Sequence, residues 1–225
     1  MDAKKQNVLV FDVCDTLFYS NTTYDFIAYV LKGTSITKYY TLQALIKRSS
    51  PLAWPFMVMA RVSGVDWPKK MALQLLKGLS KDELYRLGRS FLADFLNTCK
   101  IQQTHSLLTQ AHPEGTQLFL LSASLDPVIA AVAESVGASF KSTELEYTSN
   151  GIFTGRIKKE MTGQKLAELQ LLLKNTDYRL TVATDNFTDR SLVEAAHKRY
   201  VVIYNEKGKA YWKDLSPDFI QLYST

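Results

Sequence analysis

Apolar positions along this chain change their period twice. From Asn7 to Phe11 the run NVLVF is apolar without alternation, the mark of a short strand covered on both faces. From about Thr22 to Thr109 helical spacing takes over and no strand is predicted. NTTYDFIAYVLKG predicts a capped helix that closes at Gly33. SKDELYRLGRSFLADFLNTC opens with Ser80 and Glu83 in capping-box spacing and keeps Leu84, Leu87, Phe91 and Phe95 on one face. Shorter helices, interrupted near Pro51, Gly64 and Pro68, are expected between them. The strand pattern returns at Leu118 to Leu121 and is expected to end in Ser122. Asp126 and Pro127 then stand as N-cap and first residue of a helix closed by Gly137. YTSNGIFTGRI predicts a hairpin turning at Asn150-Gly151. A helix in TGQKLAELQLLLK, a strand in YRLTVAT, a helix in DRSLVEAAHK and a strand in YVVIYN complete the series.

Strand and helix alternating in this way predict an α/β fold. Its Rossmann-like parallel sheet would carry helices on both faces and include the first strand, after which an all-helical cap is inserted. The expected division is a core of residues 1–20 and 111–225 and a helical cap of residues 21–110. No internal repeat or low-complexity segment interrupts it.

Composition narrows the class. The chain has 225 residues, 46% hydrophobic and 22% charged, which suits a folded protein and not a disordered one. A net charge of +5 favours an anionic partner, but no dense Lys/Arg tract or aromatic-basic interleaving argues for nucleic acid. Cys14 and Cys99 lie far apart without metal spacing, and are expected as reduced thiols. Lys4-Lys5 before an apolar run resembles the start of a signal peptide until Asp12 and Asp15 interrupt it, so a cytoplasmic protein is expected. No run reaches the roughly 18–20 apolar residues of a transmembrane segment. The nearest, PLAWPFMVMARVSGVDW at residues 51 to 67, contains Pro55 and Arg61 and is expected as a buried helix, with a lipid-facing surface as the alternative.

Two carboxylates after a buried strand need a physical reason, because a bare buried carboxylate costs several kcal/mol or takes up a proton. In an open parallel sheet, ligands bind beyond the carboxyl ends of the strands. There stand Asp12, Ser122, Asp185 and, four residues later, Asp189, while Lys165 opens the preceding helix. Individually, Ser122 reads as a turn hydroxyl, and Asp185 with Asp189 as a helix cap and first-turn acid. Together they suggest a site for magnesium and a phosphoryl group.

FDVCDTL, LLSAS, GQK and TDNFTD, in this order and with a helical insert after the first, resemble the four motifs of the haloacid dehalogenase superfamily. The phosphoserine phosphatase-like subgroup, with its helical cap, is the nearest in pattern, and NGIFTGRI before the lysine resembles it too. The resemblance implies a magnesium-dependent phosphatase acting on a small phosphorylated substrate. Asp12 would be the nucleophile. Asp12, the Cys14 carbonyl and Asp185 would hold Mg²⁺, with Asp189 orienting a bound water or Lys165. Ser122 and the backbone N–H groups near Ala123 would bind the phosphoryl oxygens, and Lys165 would balance their charge.

Motif I departs from the usual Asp-x-Asp-x-Thr. Cys14 stands where the second acid is expected, and a carboxylate comes next at Asp15, a position often taken by glycine, while Thr16 is in place. This leaves three expectations, in order. Asp15 assumes the acid/base role; or the protein is a catalytically weakened relative that binds a phosphorylated ligand; or Asp12 displaces halide in a metal-independent dehalogenase-type reaction. From Leu31 to His112 basic residues outnumber acids, and with the apolar Pro51 to Val65 segment this also suits a lipid phosphate as substrate.

Overall fold

The computed structural model describes residues 5–47, 66–110, 115–174 and 176–223. The apolar segment Pro51 to Val65, on which the lipid-facing expectation rests, and the interruptions near Pro51 and Gly64 lie outside them. β1 (Gln6–Phe11) is followed by α1 (Thr22–Thr34), α2 (Ile36–Ile46), α3 (Trp67–Gln74), α4 (Lys81–Asp94) and α5 (Gln102–Gln110). Then come β2 (Gln117–Leu125), α6 (Asp126–Val136), β3 (Ser139–Tyr147), β4 (Phe153–Lys159), α7 (Lys165–Leu172), β5 (Tyr178–Thr184), α8 (Arg190–Ala195), β6 (Lys198–Ile203), α9 (Glu206–Trp212) and β7 (Asp218–Gln221). The seven strands form one sheet in the order β4-β3-β2-β1-β5-β6-β7. Every pairing is parallel except β3 with β4. From β1 the chain first builds outward through β2, β3 and β4, then returns to the other side of β1 for β5, so the topological switch point lies between β1 and β5.

Alternation along the central strands sorts two hydrophobic clusters. Val8, Val10, Phe119, Leu121, Leu180 and Val182 face α7, α8 and α9, where Leu169, Val193 and Trp212 cover them. Leu9, Phe11, Leu118, Leu120 and Ala183 face α6 and the inserted helices in the other cluster. Helices thus cover both faces, as the apolar residues on both sides of the central strands require. Ser80 accepts from the Glu83 N–H at 3.1 Å and starts α4, whose Leu84 and Phe91 are fully buried; each contributes roughly 1.5–3 kcal/mol of burial.

Helix α4 approaches α6 so closely that a Cβ on Gly88 would lie 2.2 Å from the Pro127 carbonyl oxygen. Both obstacles, that oxygen and its carbon, are backbone atoms with little freedom to yield. Gly88→Ala is therefore expected to destabilise the fold by about 1–3 kcal/mol or more, read as a lowered urea midpoint with an unchanged m-value.

Four local expectations are corrected. β2 does not stop at Ser122 but runs on to Leu125 through a register shift, pairing Ser122 with Ser142 and then Leu125 with Thr143. That extension moves the N-cap of α6 to Leu125. Asp126 is its first residue, with its carboxylate turned to the Leu145 N–H and the Tyr85 hydroxyl. α1 continues past Gly33 to Thr34, because Ser35 closes it by donating its N–H to Leu31 while opening α2. β7 was not anticipated: DFIQ is a four-residue edge strand with no fully buried residue, and only its pairing with β6 defines it.

Candidate active site

At the carboxyl end of β1, the Asp12 N–H still donates to the Ala183 carbonyl of β5 at 2.9 Å, so Asp12 is held like a strand residue. Alternation with Val8 and Val10 directs its side chain toward α7. There Lys165, the first residue of α7, places Nζ 2.9 Å from Asp12 Oδ2 and 2.6 Å from Asp189 Oδ2. All three are almost completely buried; Lys165 is 2% exposed. The Val13 N–H donates to Asp12 Oδ1 at 2.7 Å, and the Thr184 hydroxyl donates to Asp189 Oδ2 at 2.6 Å. Burial by itself would pull the proton off Lys165, but Asp12 and Asp189 outweigh it and hold the ammonium above the usual lysine range. Burial in turn raises Asp189 against the pull of that lysine.

Asp185 follows β5 directly. The Thr16 hydroxyl donates to its Oδ1 at 3.0 Å and accepts its N–H at 3.0 Å, which ties motif I to motif IV. Burial and the charge of Asp12 push the Asp185 carboxyl up to about 8. Asp12, Asp15 and Asp185 line a cavity of about 410 Å³ in whose walls, among the described residues, no lysine or arginine stands. Three carboxyl groups at one cavity, with Lys165 bound to Asp12 from behind it, offer the oxygen donors that a hard divalent ion takes. No three His, Cys, Asp or Glu side chains form a ready cage among the described residues. Asp189 commits Oδ2 to Lys165 and Thr184, while its buried Oδ1 has no partner among the described residues.

The motif I turn carries the departure. Asp15 adopts φ +50°, the left-handed region that favours glycine, and aspartate is among the few other residues that visit it readily. The Tyr204 hydroxyl fixes this turn by donating to the Asp15 carbonyl at 2.6 Å. Burial raises the Asp15 carboxyl above the ordinary range, while a contact from the Cys14 thiol works against it. The Cys14 Sγ donates to the Ser20 carbonyl at 3.0 Å. Burial, with Asp15 and Asp12 adding to it, drives the thiol far above its usual pKa, so it stays protonated and is neither a base nor a reactive nucleophile.

A second cavity, of about 240 Å³, joins Asp12 and Cys14 to Ser122, Ala123 and Ser124 on β2 and to the inserted helices. Ser122 is fully buried, and its Oγ accepts the Ser124 N–H at 3.2 Å, which leaves its own proton to give. The irregular pairing takes Ala123 and Ser124 out of the β3 ladder, a common device beside functional sites. Asp15 lines the first cavity and not this one. All eight residues singled out in the sequence thus meet at one place, with Asp15 on the Asp185 side and Ser122 on the side of the insert.

Sequence reasoning missed what the insert supplies. Lys69 of α3 is nearly buried in the second cavity, with Nζ 3.1 Å from the Ala123 carbonyl and 3.0 Å from Glu160 Oε2. Thr22 and Thr23 at the start of α1 meet Ser124 Oγ at 2.7 and 3.2 Å. Lys69 is one of many lysines in the insert, and no local spacing sets it apart; Glu160, five residues before Lys165, was equally unmarked.

Comparison with known proteins is consistent with this geometry. The family model described as haloacid dehalogenase-like hydrolase matches residues 9–194. No curated protein sequence matches the chain. Among solved structures, a protein of unknown function from Bordetella pertussis Tohama I aligns over 98% of this chain and 100% of its own, at 18% identity and a TM-score of 0.73. A phosphoserine phosphohydrolase-like protein from Francisella tularensis aligns over 95% of this chain and 94% of its own, at 15% identity and a TM-score of 0.62. Phosphoserine phosphatase from T. onnurineus aligns over 100% and 93%, at 18% identity and a TM-score of 0.55. At these identities the structural likeness speaks for the fold.

Proposed function

Since this chain belongs to the haloacid dehalogenase-like hydrolases, we propose that it is a magnesium-dependent phosphatase acting on a small phosphomonoester through an aspartyl-phosphate. The observation that carries this reading is the buried Asp12–Lys165–Asp189 chain beside the cavity that Ser122 lines. Phosphoserine phosphatases among the neighbours in fold support a phosphoryl substrate.

An Asp12 carboxylate oxygen attacks phosphorus, a P–O bond forms to Asp12, and the bond to the leaving oxygen breaks. Lys165 offsets the charge that nucleophile and phosphate share, and Asp189 with Thr184 keeps that ammonium in place. The Ser122 hydroxyl donates to a phosphoryl oxygen. Asp15, whose burial favours the protonated form, gives its proton to the leaving oxygen; its carboxylate then takes a proton from the water that attacks phosphorus and frees Asp12. Mg²⁺, held by Asp12, Asp185 and the Cys14 carbonyl, would neutralise phosphoryl charge when bound.

One observation favours the weakened-catalyst reading as second: Asp15 does not line the cavity that contains Ser122. The two readings separate on substitution. Asp15→Asn is expected to lower kcat by about 100- to 10,000-fold, and Cys14→Asp, which puts a carboxylate at a position lining both cavities, to raise it. Unchanged rates in Asp15→Asn would remove the relocated acid and leave slow turnover or binding alone. Chelation by EDTA, followed by Mg²⁺ or no metal, tests the class: activity that survives chelation would point to the dehalogenase-type reaction.

A further inference from the structure

A cavity of about 470 Å³, larger than either catalytic one, opens between the start of α4, the start of α6 and the β3–β4 hairpin. None of the residues assigned to the reaction lines it, so a ligand bound there would be independent of the proposed catalysis.

Its walls contain a surplus of donors. The carboxylates are already engaged. Asp126, nearly buried, accepts the Tyr85 hydroxyl at 2.7 Å on one oxygen and the Leu145 N–H at 3.2 Å on the other. Glu144 pairs with Lys158 at 3.5 Å, and Glu146 accepts from Arg156 and Thr154. Among the described residues, the hydroxyl of Ser142, a residue only 4% exposed, has no partner, and neither has that of Tyr147. A buried hydroxyl without a partner is a small energetic cost that native structures rarely leave unexplained. The Lys81 ammonium stands 5.6 Å from the Tyr85 ring centre and 5.8 Å from that of Tyr147. The rings fix the position of this cation without giving it an acceptor. Lys141 is a further lining residue.

We propose that this cavity binds a small oxyanion, a carboxylate or a phosphate, through Lys81, Lys141 and the hydroxyls of Ser142 and Tyr147. A cationic ligand does not fit, because the two aromatic faces are occupied by Lys81 and both Asp126 oxygens are bonded. The anion would bridge α4 of the insert to the hairpin of the sheet. A ligand that binds only the folded state raises the melting temperature with its concentration.

The test is calorimetric titration and thermal melting of the full chain with malonate and, separately, with inorganic phosphate. Wild type is compared with Lys81→Met, Ser142→Ala and Ser122→Ala. Malonate is expected to bind wild type at one site and raise its melting temperature. Its affinity should fall about tenfold or more in both Lys81→Met and Ser142→Ala and stay unchanged in Ser122→Ala, the size expected for losing one charge-assisted bond. Phosphate that weakens with malonate in the first two variants shows a site open to either source. Phosphate affected only in Ser122→Ala assigns the cavity to carboxylates. The proposal is overturned if neither anion binds wild type, or if Lys81→Met and Ser142→Ala bind both as wild type does. Because Lys81 is exposed, its replacement keeps the test valid should Ser142→Ala fold poorly.

Discussion

Asp12→Asn is expected to abolish phosphomonoester turnover, lowering kcat by about a thousandfold or more, in a protein that still folds. Asparagine matches aspartate in shape and keeps an oxygen for the Val13 N–H, but an amide does not add to phosphorus. Stability should change little, because two effects oppose each other. The Lys165 ion pair with Asp12 is lost, while Lys165 keeps Asp189 and the repulsion that raises Asp185 is relieved. Initial rates over a phosphomonoester panel with Mg²⁺, together with acid-quenched trapping of the phosphoenzyme, check both halves. Undiminished hydrolysis in the variant would place the nucleophile elsewhere.

Lys165→Met should cost the most stability. Methionine fits the volume of the stem but leaves Asp12 and Asp189 buried with no cation between them, and breaking a buried pair from one side typically costs about 3–5 kcal/mol. The sign with pH is set by the cause. Two facing carboxylates relieve their repulsion by taking up a proton, so the loss should be largest at neutral pH and shrink in mild acid. Adding Asp189→Asn should recover part of it. Urea unfolding of single and double variants at the two pH values measures this; equal stability of wild type and Lys165→Met at neutral pH would show that the ion-pair chain does not hold the site together.

Much of the fold was legible because burial on both faces leaves a plain mark. Unbroken apolar runs at Val8–Phe11 and Leu118–Leu121, and the run Leu180–Ala183 interrupted only by Thr181, mark the three strands at the centre of the sheet. Elements that depend on a neighbour left no such mark. β7 exists through its pairing with β6, and the last residues of β2 through an irregular register with β3. Among the site residues, Asp12, Lys165, Asp185 and Asp189 were visible because each sits at a strand end or helix start, and Ser122 because it follows the apolar run Leu118–Leu121, although β2 continues past it.

The amino-acid sequence by itself determined the α/β class, the helical insert after the first strand and the acids, hydroxyl and lysine that converge, because these depend on period and position along one chain. It took the tertiary structure to place Asp15 in a left-handed turn on the Asp185 side, Lys69 against Glu160 at the other cavity, and Ser142 and Tyr147, whose hydroxyls have no partner among the described residues, in the wall of a third cavity between α4 and the hairpin. Each of those depends on which distant residue ends up within hydrogen-bond reach, and distance in space is not written in local spacing.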